Sequence, residues 1–387
     1  MKNILMIATY FPPMAGIGTV RITKFVKYLP IYGWNPTVVT IGEKNIPTYD
    51  ESLLKDIKDN INVIRIDFKQ KNKDISKDFY KALKKEIDGI ILKNKYDAVF
   101  ITGGPFYIFP IGKYIFEKYN IPYIIDFRDP WKLQRINDKT NLIKLKSKIK
   151  RISIGRIEKK VLKKASLICT VNDTMTDQYK KEYPMLQEKI YTITNGFDKD
   201  DYEKIQPKKF EKFTIVYTGK FGVSAGFRDP TPIFKVIHSL NQKGYQIEFI
   251  HVGKEEDKII ELAKKFEIIN YCKFVGFKPF KEANSYCKGA SLLLLIGGKE
   301  KSEQTGKIFD YIGCQKNILA ITTGKSEIDT VCKNVNIETI RHEDLNKIEE
   351  FIKEQYNNHT TLNMKQTNMY DRKVLTGRLA QLLDKLQ

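Results

Sequence analysis

Apolar residues along the first half of the chain follow two alternating patterns. Short continuous apolar runs, typical of buried strands, are separated by stretches in which apolar residues return every three or four positions, as on amphipathic helices. The predicted strands are 3–9, 36–41, 61–67, 97–102, 122–127, 166–171 and 189–194, and the main helices are 19–32, 76–95 and 106–119. This alternation predicts a doubly wound α/β layer with a parallel sheet.

The alternation pauses near residue 199 and then starts again. Residues 199–212 are polar and lysine-rich and contain Pro207, which is typical of a linker. The second series of predicted strands is 213–218, 245–252, 272–276, 290–296 and 317–322, with helices at 228–242, 256–266, 279–288, 342–357 and 361–387. We therefore predict two Rossmann-like domains, 1–200 and 201–364, whose ligands bind beyond the carboxyl ends of the strands, in the cleft between the halves.

Length and composition agree with this organisation. The chain has 387 residues, too many for one ordinary core, and 42% of them are hydrophobic. No apolar run approaches the roughly 20 residues of a transmembrane helix, and the first strand is too short for a signal peptide, so a cytoplasmic location is expected. The five cysteines lie in apolar surroundings without CxxC spacing, which favours buried thiols over disulfides or a zinc site.

The formal net charge of +21 indicates an anionic partner, which could be a nucleic acid, an anionic membrane surface or a phosphorylated substrate. The densest basic segment, 139–164, contains eleven basic residues and one acid, Glu158, with apolar residues between them. This composition suits an amphipathic helix on an anionic membrane. A solvated basic face whose apolar side packs on the sheet explains it equally well.

The stretch that begins at Thr305 predicts a short helix followed by a buried strand. Thr305 is a candidate helix cap, and Gly306 allows a ligand to approach the first-turn N–H groups. The apolar stripe of this helix consists of Ile308, Phe309 and Ile312. Lys307, Asp310 and Tyr311 are therefore expected to point elsewhere, and an acid and a base beside a helix N-terminus suit a nucleotide sugar. A surface helix that merely leads into a strand is the alternative interpretation.

Two more cations follow the first strand of the second half. Gly219 and Lys220 end strand 213–218, and Arg228 opens the next predicted helix. Cations oppose the dipole at a helix N-terminus unless an anion is bound, so this pair suits a diphosphate. His251 ends another strand, where a histidine with a structural hydrogen bond is commoner than a catalytic one.

In the first half, Gly16 and Gly18 lie between strand 3–9 and a helix that carries Arg21. Glycines at such a turn let main-chain N–H groups meet a phosphate, and arginine adds a bidentate contact. The loop lacks the third glycine of the dinucleotide-binding fingerprint. Phosphate binding is therefore one possible role of the loop, and a purely structural turn is the other.

The segment DFRDPW follows strand 122–127. Asp126 and Asp129 flank Arg128 at the carboxyl end of the strand, where active-site groups of such sheets collect, and Trp131 supplies a flat wall. A structural ion-paired turn is the alternative.

Together these motifs resemble the retaining glycosyltransferases of family 4, which have the GT-B fold. The matching segments are YFPPMAGIGTVR at 10–21, IIDFRDPW at 124–131, ITNGFD at 193–198, YTGKFG at 217–222, FVGF at 274–277 and TGKIFDYIGCQKNIL at 305–319. The resemblance implies transfer of a sugar from a nucleotide donor, with retention and without a bound metal or cofactor; UDP is the expected nucleotide. The DFRDPW form is similar to members that build bacterial surface polysaccharides. A lipid-linked saccharide acceptor and a peripheral location at the inner face of the membrane, bound through 139–164, are therefore expected.

The resemblance also implies roles for individual residues. Lys220 and Arg228 match the basic pair on the donor phosphates, and Asp310 matches the second acid of the paired-glutamate motif, expected to bind ribose or donor sugar. The implied catalytic set is Lys220, Arg228, Asp126, Arg128 and Asp129, the last three facing the acceptor. The implied donor-binding set is Gly16, Gly18, Arg21, Gly219, Thr305, Gly306, Lys307 and Asp310. The C-terminal helix, 365–387, is expected to cross back onto the N-terminal domain.

The chain departs from the family pattern at three points. The first acid of the paired motif would fall at Ser302, with Glu303 one residue away, and Asp310 is shorter than the usual glutamate. The usual histidine after the fifth strand is not seen, its place being near Arg128. Two alternatives remain open, a GT-B epimerase of sugar nucleotides and a basic nucleic-acid-binding protein. Since the basic residues are spread over two nucleotide-type sheets without an aromatic-basic motif, no nucleic-acid partner is expected.

Overall fold

The computed structural model describes residues 1–133, 141–222, 228–254, 256–297, 305–358 and 364–386, with the main chain alone at 17, 141–148 and 150. The chain forms two compact units, one of residues 1–195 with 372–387 and the other of residues 196–371. Each contains a parallel sheet covered by helices, so the predicted α/β class with two Rossmann-like domains is confirmed. The boundaries lie at 195/196 and 371/372, whereas the sequence placed them at 200/201 and 364/365.

In the described part of the first unit, seven parallel strands form a sheet in the order β3-β2-β1-β4-β5-β6-β7. The strands are β1 Lys2–Ala8, β2 Trp34–Ile41, β3 Asn62–Ile66, β4 Ala98–Gly103, β5 Tyr123–Phe127, β6 Leu167–Thr170 and β7 Ile190–Thr192. The helices are α1 Ile17–Tyr28, α2 Ile75–Lys93, α3 Pro110–Tyr119, α4 Asn141–Lys164 and α5 Asp173–Glu182. Strand order reverses between β1 and β4, and ligands of doubly wound sheets bind at such a reversal.

Burial of both sheet faces explains why these strands are continuous apolar runs. Leu5 and Ile7 of β1 enter one core, and Ile4 and Met6 enter the core on the opposite face. Side chains alternate between faces along a strand, so a strand covered on both sides needs apolar residues at every position.

The second unit has the same architecture. Six parallel strands, counted over its described residues, follow the order β10-β9-β8-β11-β12-β13. The strands are β8 Phe213–Thr218, β9 Ile247–Val252, β10 Cys272–Phe274, β11 Leu292–Ile296, β12 Ile318–Thr322 and β13 Thr339–Arg341. The helices are α6 Lys199–Glu203, α7 Thr231–Gln242, α8 Asp257–Lys265, α9 Phe280–Gly289, α10 Lys307–Cys314, α11 Glu327–Asn334 and α12 Leu345–Asn358. The order reverses between β8 and β11, so the loop after β8 and the N-terminus of α10 lie at the same edge.

The C-terminal helix is shorter than predicted. It is α13, Arg372–Asp384, and it begins eleven residues after the predicted start at 361. Leu375, Leu379 and Leu383 of α13 pack into the core of the first unit beside Trp34. Residues 367–370 instead form a 3-10 turn of the second unit, where Tyr370 O accepts a hydrogen bond from Phe197 N at 3.0 Å.

The predicted linker contains ordered structure. Within 199–212 the structure has the short helix α6, and Tyr202 of that helix is only 4% exposed. The ring of Tyr202 packs directly over Gly313 of α10, where a Cβ atom would lie 2.6 Å from the ring. Part of the predicted linker is therefore a component of the second core.

Two expectations concern the membrane and the cysteines. None of the described helices is both long enough and apolar enough to span a bilayer. The cysteines are free thiols; the expected burial is confirmed for four of them, whereas Cys272 is half-buried.

Candidate functional site

The candidate donor site of the second unit is built on the loop that follows β8. Gly219 has a φ of +79°, a left-handed conformation that favours glycine. Its N–H donates to Val252 O and its carbonyl accepts from His251 Nε2, both at 2.7 Å. A Cβ on Gly253 would lie 2.6 Å from Gly219 O, so the loops after β8 and β9 pack together because both carry glycine. His251 thus has a structural hydrogen bond.

Lys307, at the start of α10, lies against this loop. Its Nζ donates to Tyr217 Oη at 2.5 Å and to Lys220 O at 3.3 Å, and lies 3.9 Å from the centroid of the Tyr217 ring. Tyr217 is buried, and its hydroxyl donates to Lys220 O at 3.0 Å. The structure therefore brings Gly219, Lys220 and Lys307 together as predicted and fixes the position of the Lys307 ammonium. Sequence reasoning missed Tyr217, which looks like an ordinary core residue of an apolar strand.

The side chain of Lys220 is exposed, although its main chain is held by these contacts. Arg228 is half-buried and lies three residues before α7, which begins at Thr231 and not at 228 as predicted. Residues 223–227, between the two cations, lie outside the described residues. The segment 298–304 lies outside them too, so the positions of Ser302 and Glu303 in the predicted acid motif are not described.

Two predictions about α10 are wrong. Gly306, and not Thr305, is the N-cap residue, and no side chain caps the helix among the described residues. Its first-turn N–H groups and the nearby lysines give this end of α10 a positive potential. Tyr311 does not point away from the apolar stripe, because it is completely buried and its hydroxyl accepts from Thr218 N at 3.0 Å.

Asp310 is half-buried and accepts a hydrogen bond from a residue that the sequence did not indicate. Tyr202 Oη donates to Asp310 Oδ1 at 2.7 Å. Burial, reinforced by the Asp310 carboxylate, holds the pKa of Tyr202 well above its ordinary value, so this hydroxyl keeps its proton. One carboxylate oxygen of Asp310 is thus engaged inside the unit.

At the carboxyl edge of the first sheet, Arg21 and Asp126 form a buried ion pair. Arg21 Nη2 donates to Asp126 Oδ1 at 2.8 Å and Nε donates to Oδ2 at 3.1 Å, while Thr102 Oγ1 donates to Oδ2 at 2.8 Å. Arg21 Nη1 donates to Thr194 O at 2.9 Å. With exposures of 2% and 0%, neither side chain is accessible in this conformation to the donor phosphate or acceptor predicted for it. For Asp126, the structure therefore agrees with the alternative interpretation of this segment, a structural ion-paired turn.

Arg128 lies beside this pair and nearer the surface. Its Nε donates to Gly103 O at 3.0 Å, its Nη2 donates to Gly104 O, and its guanidinium carbon lies 5.4 Å from the Tyr10 ring centroid. A Cβ on Gly18 would lie 2.1 Å from Arg128 Nη1, so the arginine reaches this place because residue 18 is glycine. Burial lowers the pKa of Arg128, and nearby Asp126 and Asp129 oppose that shift. The structure therefore brings Gly18 and Arg128 together and adds Tyr10, which sequence reasoning missed.

Gly16 and Asp129 lie close to the same edge. Gly16 is the N-cap residue of α1 with a φ of +127°, and the position of a Cβ there has no atom within 4 Å. The preceding loop is braced by a hydrogen bond of 2.8 Å from Ala15 N to Thr48 O. Asp129 Oδ2 lies 3.5 Å from the Cβ position of Gly104. Both residues are therefore available at the surface of the unit.

Trp131 does not form the predicted flat wall. It is 4% exposed and packs into an aromatic cluster, 5.7 Å from the Phe106 ring centroid and 5.9 Å from that of Phe109. Its main-chain N–H donates to Tyr179 Oη at 3.2 Å. Trp131 therefore supports the loop after β5 from the core side.

The basic segment is helix α4, and residues 139–140 lie outside the described residues. Its one acid, Glu158, is buried and accepts from Tyr183 Oη at 2.7 Å; burial raises the pKa of this carboxyl. Among the side chains of this helix that the structure describes, the exposed basic ones are Arg151, Arg156, Lys159, Lys160, Lys163 and Lys164. Ile149 and Ile152 are also exposed, at 61% and 48%, which is unusual for isoleucine. The C-terminal half of α4 thus packs on the unit and presents a basic outer face.

The sequence comparisons give one match. Residues 18–201 match the model of Glycosyltransferase Family 4. No curated protein matches the chain by sequence.

Solved structures resemble the whole chain at low identity. Sucrose-phosphate synthase from Thermosynechococcus elongatus has a TM-score of 0.68 at 14% identity, covering 100% of this chain and 99% of that chain. WaaG, a glycosyltransferase involved in lipopolysaccharide biosynthesis, has a TM-score of 0.58 at 13% identity, covering 99% and 98%. UDP-GlcNAc 2-epimerase from Neisseria meningitidis, bound to UDP-GlcNAc, has a TM-score of 0.62 at 12% identity, covering 100% of both chains.

At these identities the likeness defines the fold, and the predicted GT-B class is confirmed. The family match extends from helix α1 of the first unit to the beginning of α6. The match and the fold together support a glycosyltransferase similar to those of family 4.

Proposed function

We propose that the protein is a retaining glycosyltransferase that moves a sugar from a nucleotide-sugar donor, with UDP as nucleotide, to a lipid-linked saccharide in the synthesis of a bacterial surface polysaccharide. The observation that carries the proposal is the position of Lys307. Its ammonium is held by Tyr217 and by Lys220 O at the strand-order reversal of the second sheet, beside the N-terminus of α10, which no side chain of the described residues caps. This is where a doubly wound sheet binds a phosphate.

In the proposed reaction, the second unit stabilises the departing nucleoside diphosphate. As the bond between the anomeric carbon and the phosphate oxygen breaks, negative charge grows on that oxygen, while the acceptor hydroxyl forms the new bond and gives up its proton. Lys220, Arg228 and Lys307 supply positive charge without a bound metal. Asp310 is the acid that the proposal assigns to a hydroxyl of the donor. Gly219 and Gly306 allow the diphosphate to approach the main chain.

The first unit supplies the acceptor side of the proposal. Arg128 and Asp129 are the groups assigned to acceptor contact, and Gly18 leaves the space that the Arg128 guanidinium occupies. Because Arg21 and Asp126 are buried against each other, we assign them the role of supporting the Arg128 loop in place of direct contact.

We assign the exposed face of α4 to an anionic membrane surface. The supporting observations are its row of exposed basic side chains and the neighbouring exposed isoleucines, Ile149 and Ile152. Cations attract anionic headgroups, and apolar side chains enter the boundary between headgroups and acyl chains. This face would keep the enzyme near a lipid-linked acceptor.

The test is a transfer assay with purified protein, a panel of UDP-, GDP-, ADP- and CMP-sugars, and lipid-linked saccharide acceptors in anionic vesicles. Release of one nucleotide together with a glycosylated product is expected, and NMR should show the donor's anomeric configuration in that product. Lys307→Ala should abolish release, whereas Lys258→Ala, an exposed lysine of α8, should not. Failure of every donor and acceptor pair would reject the proposal.

An epimerase is the second candidate, because an epimerase bound to UDP-GlcNAc shares the fold over its whole length. Incubation with UDP-GlcNAc alone separates the two candidates. A 2-epimer in the proton NMR spectrum would favour the epimerase, and unchanged UDP-GlcNAc would favour the transferase.

A further inference from the structure

The carboxylate of Glu256 binds the loop that presents Lys220. Phe221 N donates to Glu256 Oε1 at 2.7 Å, and Gly222 N donates to Oε2 at 3.0 Å. Two consecutive main-chain N–H groups, immediately after Lys220, thus converge on one charged acceptor. Hydrogen bonds to an ionised acceptor are stronger than those between neutral groups.

Glu256 comes from a different loop, at the start of α8. Its carbonyl accepts from Ile259 N at 2.8 Å and so begins the helix, but its side chain does not cap α8. A carboxylate at this position usually serves the N–H groups of its own helix. Here it serves the loop after β8 instead, which indicates that holding this loop is its purpose.

The loop needs such a contact because it contains two residues in left-handed conformations. Gly219 has a φ of +79° and Gly222 has a φ of +68°. Glycine is the most flexible residue, so a segment bounded by two glycines is costly to order. The carbonyl of Lys220 accepts hydrogen bonds from Tyr217 Oη and Lys307 Nζ, which order the loop at this residue. The next residues are ordered by the stacking of Phe221 on Tyr217, whose ring centroids are 3.8 Å apart, and by Glu256.

We propose that Glu256 is a positioning residue that fixes the main chain of Phe221 and Gly222 and thereby holds the exposed Lys220 side chain where it meets the donor diphosphate. This role rests on the proposed function, because it assigns the diphosphate to Lys220. Glu256 does not touch the donor. A carboxylate that occupied the phosphate position itself would compete with the donor, and its removal would have the opposite effect.

The test compares the affinities of UDP and uridine for wild type, Glu256→Gln and Glu256→Ala by isothermal titration calorimetry. Glu256→Ala should weaken UDP binding about tenfold, the equivalent of one lost charged contact. Glu256→Gln should weaken it less, because its amide oxygen still accepts one N–H. Uridine has no phosphate, so its affinity should stay unchanged. Glu261→Ala, at an exposed acid of the same helix, is the matched control.

Amide hydrogen exchange supplies the second measurement. Exchange at Phe221 and Gly222 should rise in Glu256→Ala while strand β8 stays protected, which separates a loosened loop from an unfolded unit. Wild-type UDP affinity in Glu256→Ala, or tighter UDP binding, would overturn the role. A wild type that binds none of UDP, GDP, ADP and CMP would overturn the proposed function, and the role with it.

Discussion

Replacing Tyr217 by phenylalanine tests whether the Lys307 ammonium is held in advance of donor binding. The change removes one buried hydroxyl that donates to Lys220 O at 3.0 Å and accepts from Lys307 Nζ at 2.5 Å. The ring, its stacking on Phe221 and the packing of β8 stay in place. The perturbation therefore removes these two hydrogen bonds and keeps the aromatic ring.

The free energies of these two hydrogen bonds set the expected losses of stability and of UDP affinity. A neutral hydrogen bond contributes about 1 kcal/mol and a charged one about 1.5–3 kcal/mol. Because Lys307 is only half-buried, the lower values apply, and the second unit should lose about 2 kcal/mol of stability. At this domain size that corresponds to roughly 4–8 °C in Tm. Ordering a freed lysine on binding costs about 0.5–1.5 kcal/mol, so UDP affinity should fall about twofold to twelvefold.

Isothermal titration calorimetry with UDP checks the predicted fall in affinity, and a thermal melt checks the predicted fall in Tm. Tyr245→Phe is the matched control, because the Tyr245 hydroxyl makes no hydrogen bond in the part of the chain that the structure describes. A Tyr217→Phe protein that binds UDP as tightly as wild type would refute the inference that Tyr217 prepares Lys307 for the donor.

Three further predictions concern other parts of the molecule. Gly18→Ala should displace Arg128, whose Nη1 lies 2.1 Å from the new Cβ, and lower turnover with little change in Tm in a transfer assay. Asp126→Asn should leave the Arg21 charge buried and destabilise the first unit by about 3–5 kcal/mol in urea unfolding. Hydrogen bonds from Lys243 and Lys353 lower the pKa of Glu349 to about 2, so its contribution to stability is present above its ordinary pKa and is lost as pH falls towards 2.

Each of these has a control and a contrary result. Gly89→Ala, on an exposed helix position with no atom within 4 Å of its Cβ, should leave turnover unchanged; equal losses in both glycine variants would contradict the role given to Gly18. If Asp126→Asn unfolds at the same urea concentration as wild type, the stabilising role given to the buried ion pair is contradicted. Glu349→Gln should lose less stability than wild type between pH 6 and pH 3, and equal losses would contradict the pKa shift.

The sheets could be predicted because burial on both faces leaves a continuous apolar run for each strand. Because the carboxyl ends of parallel strands meet at one edge of a sheet, the loop after β8 and the start of α10 lie at the same edge. The meeting of Gly219, Lys220 and Lys307 was therefore predictable. It needed only the alternation of elements and the short motifs at their ends.

Side-chain partners could not be predicted in the same way, because they depend on contacts between distant segments. Arg21 and Asp126 are 105 positions apart, and the sequence gives no sign that each neutralises the other. Tyr202 reaches Asp310 across 108 positions from a segment whose lysine-rich composition is typical of a linker. Helix α6 has only five residues, too few to show helical periodicity.

The helix starting near Thr305 shows a second limit. Threonine is a good N-cap in general, but the helix begins one residue later, with Gly306 as its cap. Tyr311 was predicted to point away from the core because it lies outside the apolar stripe of Ile308, Phe309 and Ile312. The structure buries the ring and satisfies the hydroxyl with Thr218 N, a hydrogen bond that no local pattern reveals.

The central claim is that the second unit binds the diphosphate of a nucleotide sugar through Lys307 and the Lys220 loop. The most direct measurement is the affinity of UDP, GDP, ADP and CMP for wild type, Lys307→Ala and Lys220→Ala, with Lys258→Ala as control. One nucleoside diphosphate should bind wild type and the control equally and bind both site variants at least tenfold more weakly, the change produced by about 1.4 kcal/mol. Equal binding to all four proteins, or to none, would contradict the claim.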